Sequence, residues 1–161
     1  MKNNQTKDVF YFMQQALKEA VKAQKLSEVP VGAVIVKDNK IIGRGFNKCI
    51  TLSDPTAHAE IIALRKSAKK LNNYRLNDCS LYVTIEPCPM CAGALVNARV
   101  KKIVFGAFDV KAGACKSAFK ITNSRKLNHR IEATRGKTKH INIECANLIK
   151  NFFKEKRHHK K

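Results

Sequence analysis

Long apolar runs are missing from this 161-residue chain: none approaches the roughly 20 residues that a membrane-spanning helix needs. The segment from Met1 to Thr6 also lacks the hydrophobic stretch of a secretory signal, so we expect a cytoplasmic protein without a membrane anchor. No internal repeat and no linker rich in glycine, serine or proline divides the sequence. We therefore predict one domain over residues 1–161, with a core at about 8–153 and a basic tail at 154–161.

Acidic residues are scarce as well, and the chain is strongly basic. Twelve Asp and Glu stand against 32 Lys and Arg, which gives a formal net charge of +20. The excess is largest after residue 110, where 15 basic residues accompany 3 acidic ones. Such a charge attracts polyanions, RNA among them. A lysine-rich surface without a specific partner would have the same composition.

The spacing of apolar residues predicts alternating helices and strands. Residues 107–140 show little periodicity, so loop and irregular helix are expected there, and residues 157–161 are expected to fray. The order α-β-β-α-β-α-β-α is typical of a sheet between helices, an α/β architecture. A turn is predicted at Asp38-Asn39, between the first two strands. The predicted helices cover residues 8–25, 57–71, 90–98 and 145–156, and the strands cover 31–36, 41–46, 80–84 and 102–105.

Two short motifs carry chemistry: His58-Ala59-Glu60 and Pro87-Cys88-Pro89-Met90-Cys91. A Cys-x-x-Cys pair at the start of a helix can hold one metal ion from the same side, and a helix N-terminus favours the thiolate form. Zinc accepts sulfur and imidazole nitrogen, and a catalytic zinc site uses three protein ligands. The sequence therefore predicts zinc ligands at His58, Cys88 and Cys91.

Other uses of the Cys-x-x-Cys pair must be weighed. The pair could be a redox dithiol, but a redox pair explains neither His58 nor Glu60. It could be half of a structural zinc site, but such a site needs four protein ligands and the remaining cysteines are scattered singly. We predict that those single cysteines are buried small hydrophobes. They are Cys49, Cys79, Cys115 and Cys145.

A His-x-Glu motif followed by Pro-Cys-x-x-Cys is the known pattern of zinc-dependent nucleobase deaminases. In that pattern the glutamate is not a metal ligand. Glu60 is therefore predicted to lie beside the open coordination position, where it can accept a proton and pass it on.

Several further segments resemble the bacterial tRNA adenosine deaminases. The resemblance runs from about residue 8 to 115 and resumes at Leu127-Asn128-His129-Arg130 and at the helix that contains Phe152-Phe153. Segments 116–125 and 136–143 match poorly, and Phe46 stands where the family commonly has tryptophan. The segments that carry the likeness are Pro30-Val31-Gly32-Ala33-Val34, Gly45-Phe46-Asn47, Asp54 to Ile61, Asn73-Tyr74-Arg75-Leu76, Leu81 to Cys88, Met90 to Ala94 and Val104 to Ala107.

The resemblance implies a three-layer α/β/α fold of the cytidine-deaminase type, with a central mixed five-stranded sheet flanked by helices. It also implies one Zn²⁺ per subunit, a homodimer, and hydrolytic deamination of the wobble adenosine in arginine tRNA with an ACG anticodon. By motif, Asn47 would hydrogen-bond the base. Asp109 and Lys111 would contact nucleotides of the tRNA anticodon stem-loop.

Rival functions remain open. A deaminase of the same fold could act on guanine, cytosine, dCMP or a riboflavin precursor, although such small substrates need no basic surface. A non-catalytic RNA-binding module could keep zinc for stability, and an inactive subunit could depend on an active partner. The presence of Glu60 together with all three candidate ligands argues against both.

Overall fold

The computed structural model describes residues 8–159, and in these a five-stranded sheet lies between two layers of helices. None of the helices in this range is long and apolar enough to cross a membrane. The elements, in chain order, are α1 (Val9–Lys25), β1 (Gly32–Lys37), β2 (Lys40–Phe46), α2 (Ala59–Leu71), β3 (Ser80–Ile85), α3 (Pro89–Asn97), β4 (Lys102–Ala107), β5 (Glu132–Arg135) and α4 (Lys139–His158).

The sheet is mixed, in the strand order β2-β1-β3-β4-β5. Strand β1 pairs antiparallel with β2 and with β3, whereas β3, β4 and β5 run parallel to one another. Helices α1 and α4 cover one face, and α2 and α3 cover the other. The mixed five-stranded sheet between helices agrees with the expected α/β/α architecture.

Strand β1 shows why the central strands are apolar along their whole length. Val34 and Val36 pack with α1 and α4 in one hydrophobic cluster. Ala33 and Ile35 point to the opposite face and pack with α2 and α3. A strand buried on both faces has no polar alternation. The predicted turn after this strand is confirmed: Asp38 and Asn39 have φ of 48° and 59°, the pair of positive values that a tight hairpin turn requires.

Two glycines of β2 allow α2 to lie directly on the sheet. A Cβ atom at Gly45 would come within 2.2 Å of the Ala59 carbonyl oxygen, and one at Gly43 within 2.1 Å of the Ser67 hydroxyl oxygen. Any larger side chain at Gly45 would therefore push away the first turn of α2. That turn follows directly after His58, so this contact helps to position a predicted metal ligand.

The prediction for residues 107–140 is wrong in two respects. Strand β5 lies within this stretch, and the described residues contain no irregular helix there. Helix α4 begins at Lys139 instead of residue 145, because Ile141 and Asn142 are already buried in its first turn. The helix continues to His158, so the predicted fraying of 157–158 is also wrong, while Lys160 and Lys161 lie outside the described residues. Helix α2 starts at Ala59 instead of residue 57.

Candidate active site

Two helix N-termini meet at the site. His58 is the N-cap residue of α2, and Cys88 is the N-cap residue of α3. Both have extended backbone conformations, with ψ of 154° and 172°, and neither side chain caps its own helix. Pro89 at the first position of α3 suits this geometry, because a proline there loses no helical hydrogen bond. The imidazole and the thiol are therefore free to bind something else.

The three predicted metal ligands lie together. The Nδ1 atom of His58 is 3.6 Å from Cys88 Sγ and 3.5 Å from Cys91 Sγ. All three ligand atoms lie within 4.8 Å of one another, and among residues 8–159 this is the only group of three or more His, Cys, Asp or Glu side chains placed to share a metal ion. Cys91 is fully buried, and His58 and Cys88 are half-buried. The group is therefore accessible from the side on which His58 and Cys88 are partly exposed.

The electrostatics of this group favour a thiolate. A hydrogen bond from the Cys91 thiol, reinforced by His58, lowers the pKa of Cys88 to about 4 against the opposing effect of burial. The hydrogen bond with Cys88 raises the pKa of His58. The pKa of Cys91 is raised, first by the hydrogen bond that its thiol donates to Cys88 and second by burial. One negative charge is therefore already stabilised at the start of α3.

Glu60 lies in the first turn of α2 with only 3% of its surface exposed. Burial raises the pKa of its carboxyl group from 4.5 to about 7. A carboxyl group with this pKa exchanges protons readily at neutral pH, which is the property a proton shuttle needs. The side chain also lines a cavity of about 240 Å³ shared with His58 and Cys88.

Asn47 ties the end of β2 to the start of α2. Its side-chain oxygen accepts a hydrogen bond of 2.8 Å from the Ala59 backbone N–H. It thereby supplies the cap that His58 does not provide. The residue is 7% exposed and lines the same cavity. Because its oxygen is engaged, the amide N–H₂ group is the part that can donate to a ligand.

Asp109 and Lys111 occupy the loop after β4 and differ in placement. Asp109 lines the cavity, and its carboxylate accepts hydrogen bonds from the backbone N–H groups of Lys111 and Ala112, at 3.2 and 3.1 Å. Lys111 is exposed and does not line the cavity. The structure thus brings Asp109 to the site and leaves Lys111 on the surface beside it.

Glu86 belongs to this site by position, although the sequence motifs did not predict it. It is 1% exposed and lines the cavity at the end of β3. Its carboxylate accepts hydrogen bonds from the backbone N–H groups of Asp109, Cys115, Lys116 and Ser117, and from the Ser117 hydroxyl. Although burial alone would raise its pKa, these bonds hold the pKa below its ordinary value. Glu86 therefore fixes the loop that carries Asp109 to the strand that leads to Cys88.

The apolar wall of the cavity includes Ile149 and Phe153 of α4. Their spacing predicted only a helix with an apolar face, and Phe153 is instead 45% exposed. An exposed aromatic ring at the mouth of a cavity can stack on a planar ligand. No local sequence signal distinguishes it from an ordinary core residue.

The single cysteines follow the prediction in three cases out of four. Cys79, Cys115 and Cys145 are buried, and Cys49 is half-buried. Burial raises the pKa of Cys115 and of Cys145 to about 12, so these thiols stay protonated. None of the four joins the His58 group.

Known proteins that resemble this chain include deaminases. The model of the MafB19-like deaminase family matches residues 7–157. A tRNA-specific adenosine deaminase of Haemophilus influenzae is 51% identical over 150 residues, which cover 92% of this chain and 85% of the relative.

Two solved structures are also similar. One comes from a study of A-to-I editing by tRNA:A34 deaminases at the wobble position of transfer RNA. It has a TM-score of 0.80 and 39% identity, over 84% of this chain and 99% of that one. A guanine deaminase of Bacillus subtilis has a TM-score of 0.61 and 44% identity, over 63% of this chain and 66% of that one.

Proposed function

Because this chain belongs to the MafB19-like deaminase family and to the tRNA-specific adenosine deaminases, we propose that it converts the wobble adenosine of arginine tRNA with an ACG anticodon to inosine in a zinc-dependent hydrolysis. The observation that carries the proposal is the arrangement of His58, Cys88 and Cys91 beside the buried carboxyl group of Glu60. Ammonia is the second product.

The three side chains fit a zinc ion. Zn–S bonds of about 2.3 Å and Zn–N bonds of about 2.05 Å at a tetrahedral angle require a sulfur–nitrogen separation of about 3.6 Å. The His58 Nδ1 atom lies 3.5 and 3.6 Å from the two sulfur atoms. Among residues 8–159 no fourth His, Cys, Asp or Glu completes the group, as expected of a catalytic site that keeps one position open. When bound there, one zinc per subunit activates water near neutral pH.

Glu60 moves the protons. Its buried carboxyl group, which shares the cavity with the proposed metal ligands, can take a proton from the attacking water and give it to N1 of the adenine ring. It then takes the second proton of that water, from the hydroxyl group now on C6, and delivers it to the amino group, which leaves as ammonia. The buried position of Glu60 keeps bulk water away from these transfers.

Asn47, Asp109 and Lys111 hold the substrate in this proposal. The free amide N–H₂ group of Asn47 donates a hydrogen bond to the base, since its oxygen is used by the Ala59 N–H. Asp109, fixed by Glu86 and by its own loop, contacts the nucleotide that enters the cavity. The exposed ammonium group of Lys111 binds the RNA just outside.

RNA as substrate is supported by the net charge of +20 as well as by family membership. The wobble base must leave its stack to reach the cavity, which costs least in a loop that is already open. We further propose that the protein acts in the cytoplasm and forms a homodimer. Exposed apolar side chains offer surface for such a contact, among them Ile50, Leu52, Tyr74 and Phe119.

Deamination of a free base is the second candidate, favoured by the 44% identity to a guanine deaminase. That likeness covers 63% of this chain, whereas the tRNA-specific relative matches 92% of it. A positively charged surface does not attract an uncharged base, so the net charge of this chain does not favour such a substrate. The RNA substrate is therefore preferred.

Metal dependence is tested by comparing two cysteine variants. Cys88→Ser is expected to lose bound zinc and inosine formation, while Cys49→Ser, a half-buried cysteine outside the group, keeps both. A chelator should abolish the activity of the unmodified protein and added zinc should restore it. Full activity of Cys88→Ser without bound zinc would refute the proposed role of the metal. Inosine at an adenosine outside the anticodon, with the wobble adenosine left unconverted, would refute the proposed specificity.

A further inference from the structure

A second cavity, of about 720 Å³, lies beside β5, against the connection that leads from β4 to that strand. None of the residues proposed for metal binding or catalysis lines it. Its wall contains three cationic side chains, Lys116, Lys120 and Arg130, and one carboxylate, Glu132. The cavity is thus a separate concave surface with a positive balance of charge.

The three cations are not neutralised by neighbours. Each is exposed, and none forms an ion pair within 4.0 Å with any of the residues 8–159. Unpaired cations that converge on a concave surface concentrate the positive potential there and attract anions. Two of the three, Lys116 and Lys120, belong to the segment 116–125 that departs from the family pattern.

Thr122 adds a buried polar group to the same wall. Its side chain is fully buried, and its hydroxyl makes no hydrogen bond of ordinary geometry with the residues 8–159. The neighbouring Cys115 thiol is only a weak partner. Buried hydroxyl groups normally have a partner, and an anionic oxygen held by the three cations would provide one.

Only a short segment separates this cavity from the candidate active site. Cys115 and Lys116 line the basic cavity, and their backbone N–H groups donate to Glu86, which lines the other. Arg135 lies two residues beyond Ala133 on β5, so both point to the same side of the sheet. The guanidinium group of Arg135 is 5.1 Å from the ring centre of Phe108, the residue before Asp109. Positive charge therefore continues from the cavity towards the Asp109 loop.

We propose that the basic cavity binds a phosphodiester group of the substrate RNA while the edited base occupies the zinc site. The inference rests on the proposed function for the identity of the RNA. The cavity supplies affinity and register, since phosphate contacts position a nucleic acid without reading its sequence. None of its side chains touches the reacting atoms.

Binding of a fluorescein-labelled arginine tRNA anticodon stem-loop tests this proposal. All proteins carry Glu60→Gln, so that the RNA is not converted during the titration. The test variant replaces Lys116, Lys120 and Arg130 by glutamine. A matched control replaces Lys18, Lys25 and Lys40 by glutamine and so removes the same amount of positive charge. These three lysines are exposed and lie on α1 and at the β1–β2 turn.

The test variant is expected to bind roughly tenfold more weakly at about 100 mM salt, with a salt-dependence slope smaller by about 1. The control should lose no more than about twofold and keep its slope. A further substitution, Glu132→Gln, removes the opposing carboxylate and should tighten binding, a result that loss of folding cannot produce. With Glu60 intact, the triple variant should raise KM and leave kcat unchanged.

The proposal would be overturned if the test variant and the control had the same affinity for the stem-loop and the same salt-dependence slope. It would also be overturned by a change in the oligomeric state of the triple variant with unchanged RNA binding, which would make the cavity a contact between copies of this chain. Failure of the proposed function is seen separately: the unmodified protein would form no inosine, while the contrast between the two triple variants would still report on the cavity.

Discussion

Replacing Glu60 by glutamine separates its chemistry from its place in the structure. The two side chains are nearly equal in size, and the position is 3% exposed, so we expect the fold to be kept. Glu60 is not among the three side chains that would hold the metal, so zinc should stay bound. Inosine formation should fall by about 10²–10⁴-fold, the usual contribution of a positioned proton donor and acceptor.

The same substitution should change how stability depends on pH. The pKa of Glu60 is raised in the folded protein from 4.5 to about 7, so the folded state holds this proton across that window while the unfolded state has released it. Stability therefore falls as the pH rises from 4.5 to 7 and levels off above the folded pKa. At about 1.4 kcal/mol for each unit, the loss is on the order of 3 kcal/mol.

Urea unfolding of the metal-free protein, followed by circular dichroism at several pH values, measures this effect. The other titrating groups are shared by both proteins, so the difference in unfolding free energy between Glu60→Gln and the unmodified chain isolates Glu60. That difference should shift in favour of the variant, by on the order of 3 kcal/mol, between about pH 4.5 and pH 8. Parallel pH curves would refute the raised pKa, and near-normal turnover by the zinc-loaded variant would refute the proton-transfer role.

Three further substitutions test the scaffold of the site. Glu86→Gln keeps one acceptor oxygen and loses the other, so it should cost about 1–3 kcal/mol in urea unfolding and raise KM for the stem-loop with zinc content unchanged. Gly45→Ala places a Cβ 2.2 Å from the Ala59 carbonyl oxygen and should lower thermal stability by about 1–3 kcal/mol, whereas Gly93→Ala, with open space around it, should not destabilise. Asn47→Ala removes the 2.8 Å cap of α2 and should cost about 1 kcal/mol and raise KM; an unchanged KM would contradict its contact with the base.

The elements with strong local signals could be predicted from the sequence. The first hairpin is an example, because β1 is a continuous apolar run and Asp38-Asn39 supplies the positive φ values of its turn. Strand β5 could not be predicted. Its four residues are polar or small and at most half-buried, and it forms only by pairing with β4, about 30 residues earlier.

Some residues of the candidate site could likewise be predicted from the sequence, and others could not. The metal ligands and Glu60 belong to two compact motifs whose spacing is itself the signal. Glu86 carries no comparable signal, because its hydrogen-bond donors lie 23 to 31 residues further along the chain and meet it only after folding. The exposure of Phe153 and the basic cavity beside β5 likewise depend on how distant segments pack.

Inosine formation on an arginine tRNA anticodon stem-loop, with free adenosine, cytidine and guanine assayed in parallel, tests the central claim most directly. The account predicts inosine at the wobble adenosine, loss of activity with a zinc chelator, and no comparable turnover of the free compounds. Turnover of a free base or nucleoside in the absence of any editing of the stem-loop would contradict it.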